Sequence, residues 1–274
     1  MEWSKLKNII LLILLGLNTA LAILIGGPAL SDYYRENQAA REAVAFLEQK
    51  GILLQDVQLP NPMSLPPGTV SRNREEEARL ARALLGEDAQ QEARGGEVYR
   101  YTSRVGVLQF HSDGSFWAEL EPGAFPVGER PQDAVLELMK ILEFDCEIID
   151  YPGESAFTVY LRQVWEGAHL FNQQAQVHWD DNGITAITSA RRLYGEPVED
   201  PGRQTITLTT ALIDFYNGLN RLGDVCSRVD EITPGYLSAT SLTRQMELTP
   251  VWRITTDTGA YQINLISGDV ERVS

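Results

Sequence analysis

The stretch at residues 175–185, AQVHWDDNGIT, places an Asn-Gly pair between two runs of alternating apolar residues. Asn-Gly fits the centre of a two-residue hairpin turn, because both residues tolerate positive φ. Residues 108–116, LQFHSDGSF, repeat the order Gln-x-His, then Asp, then Gly. The positions that correspond are Gln109 with Gln176 and His111 with His178. These two stretches predict two related antiparallel hairpins.

Each predicted hairpin is followed by an amphipathic helix, at residues 131–144 and 207–222. Each helix leads into a strand that carries a cysteine, and then through Pro-Gly to a further hairpin. This order predicts an α+β fold in which two similar modules each have an antiparallel sheet with one packed helix. The modules are expected at residues 97–166 and 167–274.

Residues 31–96 have a different character. Amphipathic helices are predicted at 39–50 and 74–86, and a strand at 52–59. Four prolines between residues 60 and 68 break regular structure, and the polar stretch at 87–97 is typical of a linker. We interpret residues 31–96 as a helical stalk or small N-terminal subdomain with a linker.

The N-terminal segment contains no charged residue from Ile9 to Leu30. About 20 apolar residues cross a bilayer as a helix, whereas the apolar core of a cleaved signal peptide is usually about 7–15 residues long. We therefore expect residues 1–30 to be a cytoplasmic flank and a retained transmembrane anchor. Small residues at cleavage spacing, as in Ala29-Leu30-Ser31, keep a cleaved signal as the alternative. Lys5 and Lys7 precede the run, which predicts a cytoplasmic N-terminus and an extracytoplasmic body.

Three residues within the predicted anchor could contact another membrane helix. Gly16 and Ala20 form a small-xxx-small pair, which lets a second helix approach closely. Asn18 is a polar group near mid-membrane, on a face about 200° away from that of Gly16. The alternative is that any anchor tolerates one glycine and one polar residue.

The charge of the chain limits its possible partners, and its two cysteines allow two arrangements. The chain has 23 basic and 38 acidic residues, a net charge of -15, which argues against a nucleic-acid partner. Cys146 and Cys226 could form one disulfide in an exported domain, or could be two separately buried thiols.

No catalytic signature is present. His111, His178 and His169 have no carboxylate or cysteine at metal-ligand spacing, and we expect His111 and His178 to be half-buried strand residues. The sequence has no nucleophile elbow, Walker loop or dinucleotide-binding glycine pattern. We therefore expect a non-enzymatic protein without a metal or cofactor.

The chain resembles the YycI family, relatives of YycH. The N-terminal MEWSKLKNIILLILLGLN is similar to that family's opening, a Met-acidic-Trp start followed by one transmembrane helix. Within roughly residues 155–274 the similar pieces are FTVYLRQVWEGAHLFN, VHWDDNGIT, ITPGYL and LTPVWRITTDTGAYQINLISGDV. WEGAHLFN departs from the pattern, in which a proline precedes the apolar pair. A Pro-x-Trp-Arg strand also occurs in PepSY-type domains.

The resemblance implies a single-pass membrane protein with an extracytoplasmic body. Together with a YycH-like partner, it would associate through transmembrane helices with the sensor histidine kinase of the Walk/Yyc cell-wall two-component system. The alternative is an extracytoplasmic ligand-binding or PepSY-like inhibitory domain that the helix merely tethers.

Overall fold

The computed structural model describes residues 14–15, 38–54, 57–152, 157–241 and 245–273. Within these ranges the chain is α+β, and Leu14 and Leu15 are helical and exposed. A 3₁₀ turn at Pro62–Ser64 lies in the proline-rich stretch. The helices are α1 (residues 38–49), α2 (Arg74–Leu85), α3 (Pro131–Ile141) and α4 (Leu208–Leu222).

The described residues form 14 strands of one branched sheet. The strands are β1 (Gly68–Val70), β2 (Gln90–Ala93), β3 (Tyr99–Thr102), β4 (Gly106–Phe110), β5 (Ser115–Leu120), β6 (Cys146–Asp150), β7 (Thr158–Trp165), β8 (Ala168–Asp180), β9 (Gly183–Arg191), β10 (Pro197–Glu199), β11 (Val229–Thr240), β12 (Met246–Thr256), β13 (Gly259–Asn264) and β14 (Val270–Val273).

The helices and strands follow one repeating order, a helix and then four antiparallel strands. The order occurs as α2 with β2–β5, as α3 with β6–β9, and as α4 with β11–β14. We call these groups units 1, 2 and 3. The sequence predicted two modules, whereas the described residues form three units, each beginning with its helix. The expected boundary at residues 166 and 167 falls in the hairpin between β7 and β8.

The repeated sequence pattern occupies the same place in each unit. Gln109 lies in β4 and Gln176 in β8, the third strands of units 1 and 2. The third strand of unit 3, β13, carries Gln262 and Asn264 at the corresponding spacing. Asn264 stands where the other units have histidine, and this difference hid the third copy from the sequence comparison.

The units join in two ways. The last strands of units 1 and 2, β5 and β9, pair antiparallel, with Ser115 opposite Arg191 and Glu119 opposite Ala186. Unit 3 joins unit 2 through a short parallel pairing of β11 with β8, where Gly235 lies opposite His169. β1 and β10 extend the sheet beyond β12.

Two large apolar cores lie under the helices. In the first, α2 and α3 pack on the sheet of units 1 and 2, with Leu80 and Met139 fully buried. In the second, α1 and α4 pack on unit 3, where Leu47 and Phe215 share one cluster. The described helices of residues 31–96 therefore contribute to these two cores instead of enclosing a core of their own.

The helices begin and end at residues that commonly cap helices. The Asn73 side chain accepts a hydrogen bond from the Glu76 backbone N–H at 3.2 Å and starts α2. Thr207 does the same for α4, which ends at Gly223 in the left-handed conformation. Pro131 begins α3, and that helix ends before the expected residue 144.

Three local predictions were wrong. The polar stretch predicted as a linker contains β2, an edge strand whose four residues are all exposed and so show no apolar alternation. Residues 52–59 were expected to be a strand, but the described ones contribute only an isolated bridge at Leu53. Pro234-Gly235 lies inside β11 instead of starting a hairpin.

Gly235 is required at this position by close packing. A Cβ atom added there would lie 2.7 Å from Cε2 of Phe171 and would also collide with the His169 backbone oxygen. At Gly128, by contrast, an added Cβ would meet nothing within 4 Å. The parallel pairing between units 2 and 3 therefore depends on a residue without a side chain.

We predict that Gly235→Ala lowers the free energy of unfolding by about 1–3 kcal/mol, because β8 and β11 would have to move apart. Gly128→Ala, the matched control, should change it by less than about 0.5 kcal/mol. Urea unfolding followed by circular dichroism measures both. Equal stability of the two variants would show that the junction accommodates a methyl group.

Candidate binding cleft

A cleft of about 540 Å³ opens where units 1 and 2 and the segment after β9 meet. The first turns of α2 form one wall, and the turn after α3 forms another. The end of β7 and residues 192–197 complete the lining. Four separate segments of the chain therefore converge on this site, which makes it the strongest candidate for binding among the described residues.

Arg192 is the central charged residue of the cleft. It follows the last residue of β9 and is only 4% exposed. Its Nη2 donates to Glu76 Oε1 at 2.8 Å, and its Nε donates to the Leu193 backbone oxygen at 2.8 Å. Its Nη1 is buried and has no acceptor among the described residues. One hydrogen-bonding position of a buried guanidinium is thus left open.

The electrostatic balance keeps Arg192 charged. Burial lowers the pKa of the Arg192 guanidinium, while the nearby Glu76 carboxylate acts in the opposite direction. An arginine starts from a pKa so high that a downward shift leaves it protonated at neutral pH. The Arg192–Glu76 contact is therefore a buried ion pair.

Three consecutive glutamates lie in the first turn of α2, and each has a different environment. Successive residues on a helix point about 100° apart. Glu75 is exposed in the cleft, Glu76 pairs with Arg192, and Glu77 is buried against Arg72 through two hydrogen bonds of 2.8 Å. All three carboxylates also lie in the first turn, where negative charge favours the helix dipole. The sequence Glu-Glu-Glu thus supplies a buried anchor, a cleft ion pair and a free carboxylate.

The rim of the cleft is acidic. Arg79 and Glu143 pair there through two hydrogen bonds of 2.7 and 2.6 Å, and the Arg79 contact lowers the pKa of Glu143. Both side chains are about half exposed, so the pair adds little stability. Three exposed carboxylates on the rim have no ion-pair partner in the described part of the chain: Glu75, Asp145 and Glu196.

Trp165 separates the cleft from a second, smaller pocket of about 180 Å³ and lines both. Its ring packs against Tyr236, with centroids 5.8 Å apart. The buried Tyr236 hydroxyl donates to the Pro66 backbone oxygen at 3.1 Å, and burial raises the pKa of Tyr236 to about 12. Glu166 and Glu199 line the second pocket. The two pockets are thus neighbours that share Trp165 in their linings, and we call them together the acidic groove.

The lining of the cleft consists mainly of charged and amide side chains. Its described residues include no serine, threonine, cysteine or histidine to act as a nucleophile. Glu143 has a lowered pKa, which opposes the protonated form that a general acid needs. Among the described residues, no three histidine, cysteine, aspartate or glutamate side chains are placed so that they could hold one metal ion.

A second charged cluster lies where units 2 and 3 meet. The Phe171 ring is flanked by two guanidiniums, with Arg253 at 4.2 Å and Arg162 at 5.3 Å from its centroid. Arg162 donates to Glu147 at 2.8 Å, and His169 Nδ1 lies 2.8 Å from the same carboxylate oxygen. The His169 contact has the distance of an ion pair but not the angle of a hydrogen bond. This cluster fixes the junction through cation–π contacts.

The histidines occupy the places expected for sheet residues. His111 and His178 are both half-buried, as predicted, but only His178 lies in a strand, because β4 ends at Phe110. His178 contacts Thr158 at 2.9 Å and Thr188 at 2.7 Å. Burial lowers the pKa of His178. His169, which the sequence placed in a loop, lies in β8. None of the three lines the cleft.

The predicted helix-interface residues Gly16, Asn18 and Ala20 lie outside the described residues, as does most of residues 1–30. In the portions of the chain that the structure describes, no helix has both the length and the apolar character needed to cross a membrane.

The cysteines are two separate thiols. Cys146 packs against the first core and Cys226 against the second, and both are free. Burial raises the pKa of Cys146 to about 12 and that of Cys226 to about 11. The disulfide that the sequence left open is therefore absent from this structure.

Comparisons with solved structures find distant neighbours of this chain, among them two with the following likeness. No family model and no curated protein matches the chain. An uncharacterized protein from Eubacterium rectale is 14% identical, covering 77% of this chain and 86% of that one, with a TM-score of 0.42. The Bacillus megaterium YpeB C-terminal domain is 12% identical, covering 74% of this chain and all of that domain, with a TM-score of 0.39. At these TM-scores the likeness assigns no function to the chain.

We predict that the thiols react slowly in the folded protein, because the thiolate is the nucleophile and burial disfavours it. Iodoacetamide at pH 8 should modify Cys226 before Cys146, and both far more slowly than in urea. Mass spectrometry of timed samples gives the two rates. Modification of Cys146 at its unfolded rate would contradict its burial against the first core.

We also predict unequal effects for the two arginines of the cleft. Arg192→Met should lower the free energy of unfolding by about 3–5 kcal/mol, since it leaves Glu76 without its buried partner. Arg79→Met, the matched control, removes an exposed pair and should cost less than about 1 kcal/mol. Denaturant unfolding at pH 7 measures both, and similar losses would contradict the burial of the Arg192 pair.

Proposed function

We propose that the chain is a non-enzymatic, membrane-anchored accessory regulator of a sensor histidine kinase in a cell-wall two-component system. It would act together with a YycH-like partner. The observation that carries this proposal is the uncharged run from Ile9 to Leu30, preceded by Lys5 and Lys7. The resemblance of residues 1–30 and about 155–274 to the YycI family supports the choice of partner.

The proposed mechanism is a contact between membrane helices. Gly16 and Ala20 would allow close approach of another helix, and the Asn18 amide would hydrogen-bond across the interface. An interhelical hydrogen bond of this kind contributes about 1 kcal/mol. A kinase balanced between two states responds to a coupling free energy of about 1–3 kcal/mol, so a few such contacts are enough to change its activity.

The arrangement of the chain across the membrane follows from its charges. We propose that the N-terminus is cytoplasmic and that the body lies outside, because lysines immediately before an apolar run favour the cytoplasmic side. The net charge of -15 is consistent with a body held away from anionic lipid headgroups.

A non-enzymatic role agrees with the chemistry of the cleft. The Arg79–Glu143 and Arg192–Glu76 pairs occupy four of its charged groups, and the remaining carboxylates have no nucleophile beside them in the lining. Groups arranged in this way can attract and orient a bound molecule, and the reaction chemistry would have to come from elsewhere.

A second candidate function is an extracytoplasmic ligand-binding or PepSY-like inhibitory domain, for which the helix is only a tether. The open hydrogen-bonding position on Arg192, in a cleft of about 540 Å³, favours this alternative. The two functions differ in which part of the chain determines its partners.

The deciding experiment is affinity capture from native membranes, comparing the intact chain with a version whose residues 6–29 are replaced by an unrelated membrane helix. Capture of a sensor kinase by the native helix alone would support the regulator proposal. Identical partners with either helix would overturn it and favour the tethered domain.

We predict that Asn18→Leu and Gly16→Leu each reduce capture of the kinase about fivefold, the effect of losing about 1 kcal/mol of helix contact. Leu17→Ile, which keeps volume and apolarity, serves as the control and should leave capture unchanged. Circular dichroism confirms that the body of each variant is folded. Undiminished capture by both test variants would rule out these residues as the interface.

A further inference from the structure

We infer that the acidic groove, which comprises the cleft around Arg192 and the smaller pocket beyond Trp165, binds a basic peptide segment of a partner protein. In this complex a peptide carbonyl oxygen accepts a hydrogen bond from Arg192 Nη1. Cationic side chains of the peptide contact the free carboxylates of the rim. The inference concerns the body of the protein and does not depend on the membrane-helix proposal.

The charge of the groove selects a cationic ligand. Both arginines of the cleft are already paired, with Glu76 and Glu143. The carboxylates that remain unpaired in the cleft are Glu75, Asp145 and Glu196, and the smaller pocket adds Glu166 and Glu199. Like charges at this density repel an anion and raise the local concentration of a cation.

Arg192 Nη1 lacks an acceptor, and this favours a ligand that supplies a neutral oxygen atom there. A buried donor without an acceptor is costly, and a ligand can recover that cost by supplying an acceptor. The Arg192 charge is already compensated by Glu76, so a carboxylate or phosphate would gain little from it and would be repelled by the rim. A backbone carbonyl oxygen accepts the hydrogen bond without that repulsion.

The shape of the site favours a chain over a small cation. The cleft and the smaller pocket share Trp165 in their linings, so a ligand that contacts the carboxylates of both must be extended. The indole of Trp165, which lines both pockets, offers a face for a cationic side chain. β10, which begins at Pro197 in the lining, pairs with β1 on one side and ends the described sheet there. An extended peptide can run along such an edge.

Binding is measured with the full-length chain and fluorescently labelled octapeptides that are blocked at both ends. One peptide alternates arginine with alanine, and the second has glutamate in place of arginine. We expect a rise in fluorescence anisotropy for the arginine peptide that weakens as salt is added, and none for the glutamate peptide. Equal binding of both peptides, or of neither, would overturn the inference.

A charge-matched pair of triple variants separates a built site from general attraction to an acidic protein. Glu75→Gln, Asp145→Asn and Glu196→Gln together should weaken binding of the arginine peptide about tenfold, three exposed ion pairs of about 0.5 kcal/mol each. The control combines Glu121→Gln, Glu129→Gln and Asp181→Asn, which are exposed and lie outside the groove. The control should weaken binding less than about twofold. Equal losses would show non-specific attraction and overturn the site.

Arg192→Lys tests the peptide carbonyl contact. Lysine keeps a positive charge beside Glu76 but lacks the planar fork that presents Nη1. We expect arginine-peptide affinity to fall about fivefold, the loss of one hydrogen bond of about 1 kcal/mol, while circular dichroism shows a folded chain. Unchanged affinity in the folded variant would overturn the role of Arg192. Capture of the kinase by this variant reports separately on the membrane helix.

Discussion

The organisation of the body depends on how β8 divides one of its edges between two other strands. β7 pairs along one edge of β8 over most of its length. On the other edge, the second half of β8 pairs with β9, and its first half pairs with β11. A strand of 13 residues is long enough to hold both neighbours. The backbone hydrogen bonds of a single strand therefore connect the sheet of units 1 and 2 with unit 3.

A small polar contact secures that division. The Asn172 side chain donates to the Ser238 backbone oxygen at 2.6 Å and accepts from its backbone N–H at 2.9 Å. An amide side chain thereby continues the ladder where the two backbones separate. Gln173, which is fully buried, donates to the Ser238 hydroxyl at 2.6 Å. The Gln173 Oε1 atom is buried without a donor among the described residues, so the specificity of this register comes from the contacts of Asn172 and of Gln173 Nε2 with Ser238, which any other register would break.

Local features of the fold could be predicted from the sequence, while the long-range pairings could not. Helical periodicity and end residues located α2, α3 and α4 to within a few residues, and Asn182-Gly183 located the hairpin between β8 and β9. β2 gave no apolar alternation because it has a single pairing partner and exposed side chains. Pro234-Gly235 has the composition of a turn, and only the approach of β8 explains its place in a strand.

The sequence did not predict the cleft, because the cleft also depends on long-range contacts. A charged residue is expected at the surface, and Arg192 looks from the sequence like one of two arginines ending a strand. Its burial depends on Glu76, which is 116 residues away along the chain. One feature of the sequence did indicate buried cations near α2, namely the run Glu75-Glu76-Glu77. Three carboxylates in one helical turn repel one another unless cations from elsewhere in the chain approach them. The sequence does not indicate which arginines do so.

The pairing of β5 with β9 has a consequence for the edges of the sheet. Each unit contributes its own last strand to that contact, so units 1 and 2 are related as the halves of a two-fold dimer fused into one chain. A contact that uses the same edge from both copies closes after two copies. Unit 3 joins at a different edge and in a different direction, through the parallel contact of β11 with β8. The β5–β9 contact thus covers, in both units, a strand edge that an isolated unit would expose to aggregation.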